Sequence, residues 1–333
     1  MANTISMSVS MSKISRRHLL RLAGVTTASA ALTNALRAEG FALLAPTPEV
    51  TVATAAPIHV RDVTLRARNI DLMKRYYQLV IGLKILRESD EEVAMGVGDT
   101  TLLTLLSAPE APFSAPSEAG LYHTAFVMPS RTELARWLVH VAMMDAPLTG
   151  FADHLVSEAV YLDDPEGNGV EVYADRTPDS WTWEGDQVVM ASEALDVESL
   201  FQLTNTNVDT FTGAPDATRI GHIHLRAGEI EAATAFYNGA LGLDIVRGRD
   251  GAAFMSSGRY HHHVAVNTWQ SEGAGPRNPL KTGLAEFTLQ LDDAALLEPI
   301  RQRLAEAGVE TKEAGSDLIA ADPWGTSVRL VVG

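Results

Sequence analysis

Short alternations of apolar and polar residues, separated by turn residues, recur along residues 58–333 and predict a chain built mainly from short strands. The segment 62–67 reappears as 222–227, and 81–85 reappears as 241–245, both displaced by 160 positions. Self-similarity at a fixed offset indicates that a structural unit has been duplicated. Each copy is expected to begin with a strand, continue as an amphipathic helix and end in short strands. Asn69 is the expected N-cap of the helix in the first copy.

Each copy also holds a second unit of the same design. In the first copy, a strand over 121–128 precedes a helix that opens with the capping-box pattern Ser130-Arg131-Thr132-Glu133. Both second units then close on a related turn, Asp164-Pro165-Glu166-Gly167 and Asp322-Pro323-Trp324-Gly325. The chain is therefore predicted to contain four βαβββ modules, at 58–107, 120–175, 219–268 and 283–333.

Composition narrows the class of protein. The 333 residues, 46% of them hydrophobic, are enough for two domains with real cores. Cysteine is absent, which excludes disulfides, thiolate metal sites and cysteine nucleophiles. The formal net charge is −16, and Lys and Arg form no cluster beyond the N-terminus, so nucleic-acid binding is not expected.

The N-terminus has the features of an export signal. Arg16-Arg17 precede a mildly apolar run over 22–36, a pattern typical of twin-arginine signals, and Ala28-Ser29-Ala30 fits a cleavage site. The run is too short and too polar for a stable membrane span. Residues 1–57 are thus predicted to be a signal peptide and an Ala/Thr/Pro-rich tether, and the protein to be periplasmic or secreted. A disordered basic tail is the alternative.

Four short segments place histidines or carboxylates on predicted strands. They are Gly120-Leu121-Tyr122-His123-Thr124, the stretch 153–171, Gly221-His222-Ile223-His224-Leu225 and Tyr260-His261-His262-His263-Val264-Ala265. Glu171 is flanked by valines, and a glutamate buried there would be costly unless it were paired or bound a metal. Two histidines and one carboxylate on one side of Fe(II) would leave open coordination positions.

Together, these modules and segments resemble the vicinal-oxygen-chelate superfamily, which contains glyoxalase I, extradiol dioxygenases and antibiotic-binding resistance proteins. The four segments are most similar to its catechol 2,3-dioxygenase-type branch. The resemblance implies an α+β fold in which the modules form two glyoxalase/extradiol-dioxygenase-like domains. Their expected ranges are 58–175 and 219–333, joined by a connector over 176–218.

In this superfamily the metal ligands come from the first and last strands of two paired modules. The resemblance therefore implies His123, Glu171 and His222 as ligands. Module four offers Arg329 at the matching place, and an arginine beside a cation would repel it. A complete site thus requires module two to pair with module three, whereas ordinary extradiol enzymes use modules three and four. His222 and His224 share one strand face, and the family pattern selects His222.

The histidine run supports two readings. The extradiol register selects His262 as an acid–base group, whereas the glyoxalase register selects His263 as a fourth metal ligand; a structural histidine cluster is a third possibility. Tyr161 and His154 lie near the spacing at which extradiol enzymes carry an active-site tyrosine and a second histidine. Both could instead be ordinary strand and loop residues. Trp181 and Trp183 are candidates to cover an aromatic ring or to pack in the core.

The function that the resemblance implies is extradiol ring cleavage of a small aromatic diol with O2 and Fe(2+), or Mn(2+) in its place, with His262, His154 and Tyr161 as catalytic groups. Because the motifs contain few basic residues, a neutral or weakly acidic phenol is the expected substrate. One alternative is a glyoxalase-like metal-dependent lyase or isomerase, which uses no oxygen. The other is a non-catalytic binding or resistance protein. A homo-oligomer is left open.

Overall fold

The structure is a computed structural model that describes residues 51–333. The predicted twin-arginine signal, with Arg16-Arg17 and the Ala28-Ser29-Ala30 cleavage site, lies outside the described residues. Within the described range, all four predicted βαβββ modules are present. No helix in this part of the chain is long and apolar enough to cross a membrane.

The first two modules follow the predicted order of elements. Module one contains β1 (Ile58–Ala67), α1 (Ile70–Tyr76) with a following π-helical segment (Tyr77–Ile81), β2 (Lys84–Glu88), β3 (Glu92–Val97) and β4 (Thr100–Ser107). Module two contains β5 (Gly120–Met128), α2 (Arg131–Met143), β6 (Leu148–Asp153), β7 (Ser157–Asp163) and β8 (Gly169–Asp175). The side chains of Asn69 and Ser130 accept hydrogen bonds from the first turns of α1 and α2, which confirms both predicted caps.

The second half repeats this order after a connector with a short hairpin, β9 (Trp183–Glu184) and β10 (Gln187–Val188), and α3 (Val197–Phe201). Module three contains β11 (Arg219–Arg226), α4 (Ile230–Thr234) with its π-helical continuation (Ala235–Ala240), β12 (Asp244–Arg249), β13 (Ala252–Ser256) and β14 (Val264–Asn267). Module four contains β15 (Gly283–Leu291), α5 (Leu297–Glu306), β16 (Thr311–Ala314), β17 (Asp317–Ala321) and β18 (Ser327–Val332).

The modules pair across the two halves of the chain. One eight-stranded sheet has the order β16-β17-β18-β15-β1-β4-β3-β2, and the other has β12-β13-β14-β11-β5-β8-β7-β6. Module one therefore pairs with module four, and module two pairs with module three, as the placement of the ligand residues required. The junctions are the antiparallel pairs β1–β15 and β5–β11.

Helices and turns connect the two sheets within each half. The Trp137 indole on α2 donates to the Val80 carbonyl of module one, and Arg303 on α5 donates to the Ala240 carbonyl of module three. The sequence ranges 58–175 and 219–333 are thus each held together by helix packing, while each sheet draws on both. Their assignment as separate domains stays a prediction.

The two related Asp-Pro turns have the same structural role. The Tyr77 hydroxyl donates to Asp164 at 3.0 Å, and the Tyr237 hydroxyl donates to Asp322 at 3.0 Å. Both aspartates also accept backbone N–H groups of their own turns. Each turn therefore attaches a helix of one sheet to a loop of the other.

The last residues of the predicted tether belong to the folded body. Val52–Ala55 forms a short 3-10 helix in which Ala53 is fully buried. The Ala53 carbonyl accepts a hydrogen bond from His263 Nε2 at 2.8 Å. A buried alanine and a buried carbonyl give this segment a packing role that its Ala/Thr/Pro composition does not indicate.

We expect Tyr77→Phe to lower the free energy of unfolding by about 1–3 kcal/mol, because it removes one donor from a buried carboxylate. Tyr76→Phe is the matched control, since the neighbouring Tyr76 hydroxyl is buried without a hydrogen-bond partner among residues 51–333. Urea denaturation of both variants measures the difference. Equal losses in the two variants would show that the Tyr77–Asp164 bond does not stabilise the fold.

Candidate metal centre

Three strands of the second sheet bring His123, Glu171 and His222 together. His123 lies on β5, Glu171 on β8 and His222 on β11. Ala125 lies between them in the sheet, opposite His222 on one side and opposite Glu171 on the other. Because paired residues point to the same face of a sheet, the small Ala125 side chain leaves room for the three larger ones to meet above it.

The ligand atoms of these three residues face one another. His123 Nε2 lies 3.0 Å from Glu171 Oε2 and 3.3 Å from His222 Nε2. His222 Nε2 lies 3.2 Å from the same Glu171 oxygen. All three side chains are buried, so the group is a candidate metal site.

The ionisation of the group suits a metal ligand set. Burial alone would raise the pKa of Glu171, but His222 and His123 lower that pKa well below its ordinary value. Burial lowers the pKa of His222 to about 4. At neutral pH the carboxylate is therefore charged and His222 is neutral, which are the forms that bind a metal ion.

The distances between the three donor atoms also fit a bound metal ion. Ligands about 2.1 Å from a metal and at right angles to one another have donor atoms about 3 Å apart. The observed separations of 3.0, 3.2 and 3.3 Å are close to this value. Two histidines and one carboxylate are the facial ligand set of non-haem Fe(II) oxygenases. The residues present thus fit a divalent metal, and iron is compatible with them.

The structure does not bring His263 to this group. The Ser257 N–H donates to His263 Nδ1 at 3.3 Å, and His263 Nε2 in turn donates to the Ala53 carbonyl at 2.8 Å. Both ring nitrogens of this buried histidine are therefore engaged by backbone groups. The side chain connects the histidine run to the N-terminal segment.

His262 lies beside the group and ends a chain of hydrogen bonds. Its ring centroid is 4.0 Å from that of His222. Asp175 accepts from His261 Nε2 at 2.8 Å, so His261 Nδ1 is free to accept from His262 Nδ1, also at 2.8 Å. His262 Nε2 is then left without a proton. This Asp175–His261 connection was not expected from the sequence, because its two residues lie 86 positions apart.

His154 and Tyr161 form a second pair. His154 Nδ1 donates to the Ala191 carbonyl at 2.7 Å, which leaves His154 Nε2 to accept from the Tyr161 hydroxyl at 2.6 Å. Burial and the charge of Glu171 raise the pKa of Tyr161 well above its ordinary value, so the hydroxyl stays protonated. Tyr161 is also the cross-strand neighbour of Glu171.

These groups line one cavity of about 610 Å³. Several of its wall residues had no role assigned from the sequence. His224 accepts from the Asn267 amide at 2.9 Å, and its ring packs beside those of His123 and Tyr122. Trp269 also lines the cavity, whereas Trp181 packs against Tyr260 and His261. Of the tryptophans considered from the sequence, Trp181 therefore has a core role.

The corresponding face of the first sheet carries an ion pair. By strand register, Asp62, Glu286 and Arg329 occupy the places of His222, His123 and Glu171. Arg329 donates to Glu286 at 2.7 Å and to Asp317 at 3.2 Å. A guanidinium thus neutralises these carboxylates and occupies the place that corresponds to the ligand Glu171.

The comparisons with known proteins agree with this architecture. The model of the Glyoxalase/Bleomycin resistance protein/Dioxygenase superfamily matches residues 59–172 and 219–328. Catechol-2,3-dioxygenase from Bacillus subtilis (strain 168) is 34% identical over 270 residues, which are 80% of this chain and 94% of that protein. This similarity confirms the prediction of a catechol 2,3-dioxygenase-like oxidoreductase.

Two solved structures share the fold at low sequence identity. Glyoxalase I from Zea mays superposes with a TM-score of 0.52 at 15% identity, covering 84% of this chain and 93% of that one. The cppA protein from Streptococcus pneumoniae TIGR4 has a TM-score of 0.52 at 15% identity and coverages of 83% and 99%. With the family match over both halves, the chain belongs to the glyoxalase/bleomycin resistance protein/dioxygenase superfamily.

Proposed function

We propose that this protein is an extradiol dioxygenase that opens the ring of an aromatic diol with O2 and divalent iron. The observation that carries the proposal is the convergence of His123 Nε2, Glu171 Oε2 and His222 Nε2 at separations of 3.0–3.3 Å, in the wall of one cavity. The catechol-2,3-dioxygenase of Bacillus subtilis supports the choice of reaction. Manganese is the alternative metal.

Strand register favours three protein ligands over four. In module two, Glu171 lies opposite Ala125, two residues after the ligand His123. In module three, the equivalent place is opposite His224, two residues after the ligand His222, and Ala265 occupies it. A methyl group at the place of a fourth ligand favours a site that accepts both diol oxygens and O2. The glyoxalase-like alternative would need a ligand there.

His262 is assigned as the acid–base group. When bound, the iron would bring the diol and O2 together and make the diol more acidic. The hydrogen-bonded series Asp175–His261–His262 leaves His262 Nε2 able to take a proton from a diol hydroxyl. The Tyr161 hydroxyl, held by His154, is assigned to positioning the substrate beside Glu171.

We expect anaerobically purified protein to contain close to one iron per chain and to consume one O2 per catechol, with a yellow ring-opened product. Glu171→Gln should lose metal without a loss in folding stability, because the substitution removes a buried charge while keeping the shape of the side chain. Glu286→Gln, in the first sheet, is the matched control and should keep both metal and activity.

Three other outcomes would contradict the proposal. Bound metal without oxygen uptake would favour the glyoxalase-like lyase or isomerase. Protein without metal would favour a binding or resistance protein. Unchanged metal content in Glu171→Gln would remove the assigned ligand set.

The two readings of the histidine run predict different variants to fail. We expect His262→Gln to retain metal and to lose about 10²–10⁴-fold in kcat, the usual contribution of general acid–base catalysis. His263→Gln should retain both metal and kcat, because its partners are backbone groups. Metal analysis and oxygen uptake of the two variants distinguish these readings. A loss of metal in His263→Gln would establish His263 as the fourth ligand instead.

We also propose that the chain is exported by the twin-arginine route. Arg16→Lys combined with Arg17→Lys should retain the protein in the cytoplasm, because the paired arginines are the feature that the export machinery reads. Cell fractionation of wild type and the double variant measures this. A double variant found in the periplasm, or a wild-type protein found in the cytoplasm, would contradict twin-arginine export.

A further inference from the structure

We propose that the substrate is an aromatic diol that carries a carboxylate substituent, and that Arg249 binds this carboxylate. The inference deepens the proposed function and rests on it. It replaces the expectation of a neutral phenol, because the basic group comes from a strand outside the sequence motifs.

The cavity is larger than a bare diol requires. Its volume of about 610 Å³ lies within the range of sites that enclose drug-sized ligands. A single benzene ring with two hydroxyls would fill only a small part of it. With the diol held at His123, Glu171 and His222, the remaining space leads toward other lining residues, among them Arg249 and Gln270.

Arg249 is the last residue of β12 and is exposed at this cavity. Its guanidinium carbon lies 4.8 Å from the centroid of the Phe254 ring and 5.8 Å from that of Trp269. Both rings line the same cavity. Stacking of this kind holds the guanidinium plane in place while its N–H edge stays available.

No carboxylate in residues 51–333 is paired with Arg249, although the chain as a whole carries a large excess of acidic groups. Other arginines near the site, such as Arg131 and Arg176, are bonded to Glu158 and Asp153. Arg226, which also lines the cavity, donates its Nε–H to the Glu118 carbonyl. Arg249 therefore presents an open hydrogen-bonding edge to the cavity, and it differs from Arg226 in that aromatic rings of the cavity wall hold its guanidinium in place.

Ring contacts connect Arg249 to the candidate metal centre. The Trp269 ring, 5.8 Å from the Arg249 guanidinium, lies 5.6 Å from the His224 ring, which in turn lies 4.9 Å from the His123 ring. A ligand that spans from the His123–Glu171–His222 group to Arg249 thus stays within one cavity. A carboxylate matches a guanidinium edge because two parallel N–H···O bonds can form.

The test uses two probes, 3,4-dihydroxyphenylacetate and its methyl ester, which share the diol and differ in the charge of the substituent. Their dissociation constants are measured anaerobically on the iron-loaded protein, and oxygen uptake is then recorded with each. The variants are Arg249→Met and, as matched control, Arg247→Met. Arg247 lies on the same strand but is not among the cavity-lining residues.

Wild type should bind the carboxylate about tenfold more tightly than the ester, a moderate effect because Arg249 is exposed to solvent. Arg249→Met should abolish this preference and leave the affinity for the ester within about threefold, whereas Arg247→Met should keep the preference. Equal binding of both probes to wild type, no binding of either, or an equal loss in both variants would overturn the inference. Binding with the predicted preference but without oxygen uptake would instead contradict the proposed reaction.

Discussion

A buried carboxylate needs compensating positive charge or hydrogen-bond donors, because its desolvation costs several kcal/mol. Glu171 is such a group, and its nearest partners are two imidazoles, of which His222 is held neutral by burial. The two imidazoles reach Glu171 only if β5, β8 and β11 lie side by side. This arrangement requires module two to pair with module three. The cavity, the position of His262 and the place of Ala265 all depend on that arrangement.

Periodic features of the sequence were sufficient to predict the four modules and to limit the choice of residues for the candidate metal site. Alternation and the 160-residue offset predicted the strands, and polar residues before apolar runs predicted the caps at Asn69 and Ser130. Strand alternation limited which side chains could share a face with the ligands, and the family resemblance then selected His123, Glu171 and His222. That rule does not extend to His262 and His263, which precede β14 in a turn where Arg259 has a positive φ of 60°.

Contacts between distant segments could not be read from local patterns. Asp175 meets His261 only because β8 and the histidine run converge in the folded sheet. Arg249 carries no motif, and its stacking on Phe254 and Trp269 joins β12, β13 and the segment after β14. The first sheet illustrates the same limit. There the duplicated register is retained, but Arg329 supplies positive charge to the neighbouring carboxylates. At Glu171 that positive charge would come from a bound metal ion.

Cross-pairing of the modules also determines when the molecule can become complete during synthesis. His123 contacts His222, which lies 99 residues later in the chain. Asp62 on β1 accepts a hydrogen bond from Thr288 on β15, which lies 226 residues later. Such non-local pairings slow folding, because long loops must close before their contacts stabilise anything. No fragment that ends within the connector can bind the ion through the three ligands. The candidate metal site can therefore form only after the ribosome has synthesised module three, and the proposed export in the folded state would allow metal loading to finish first.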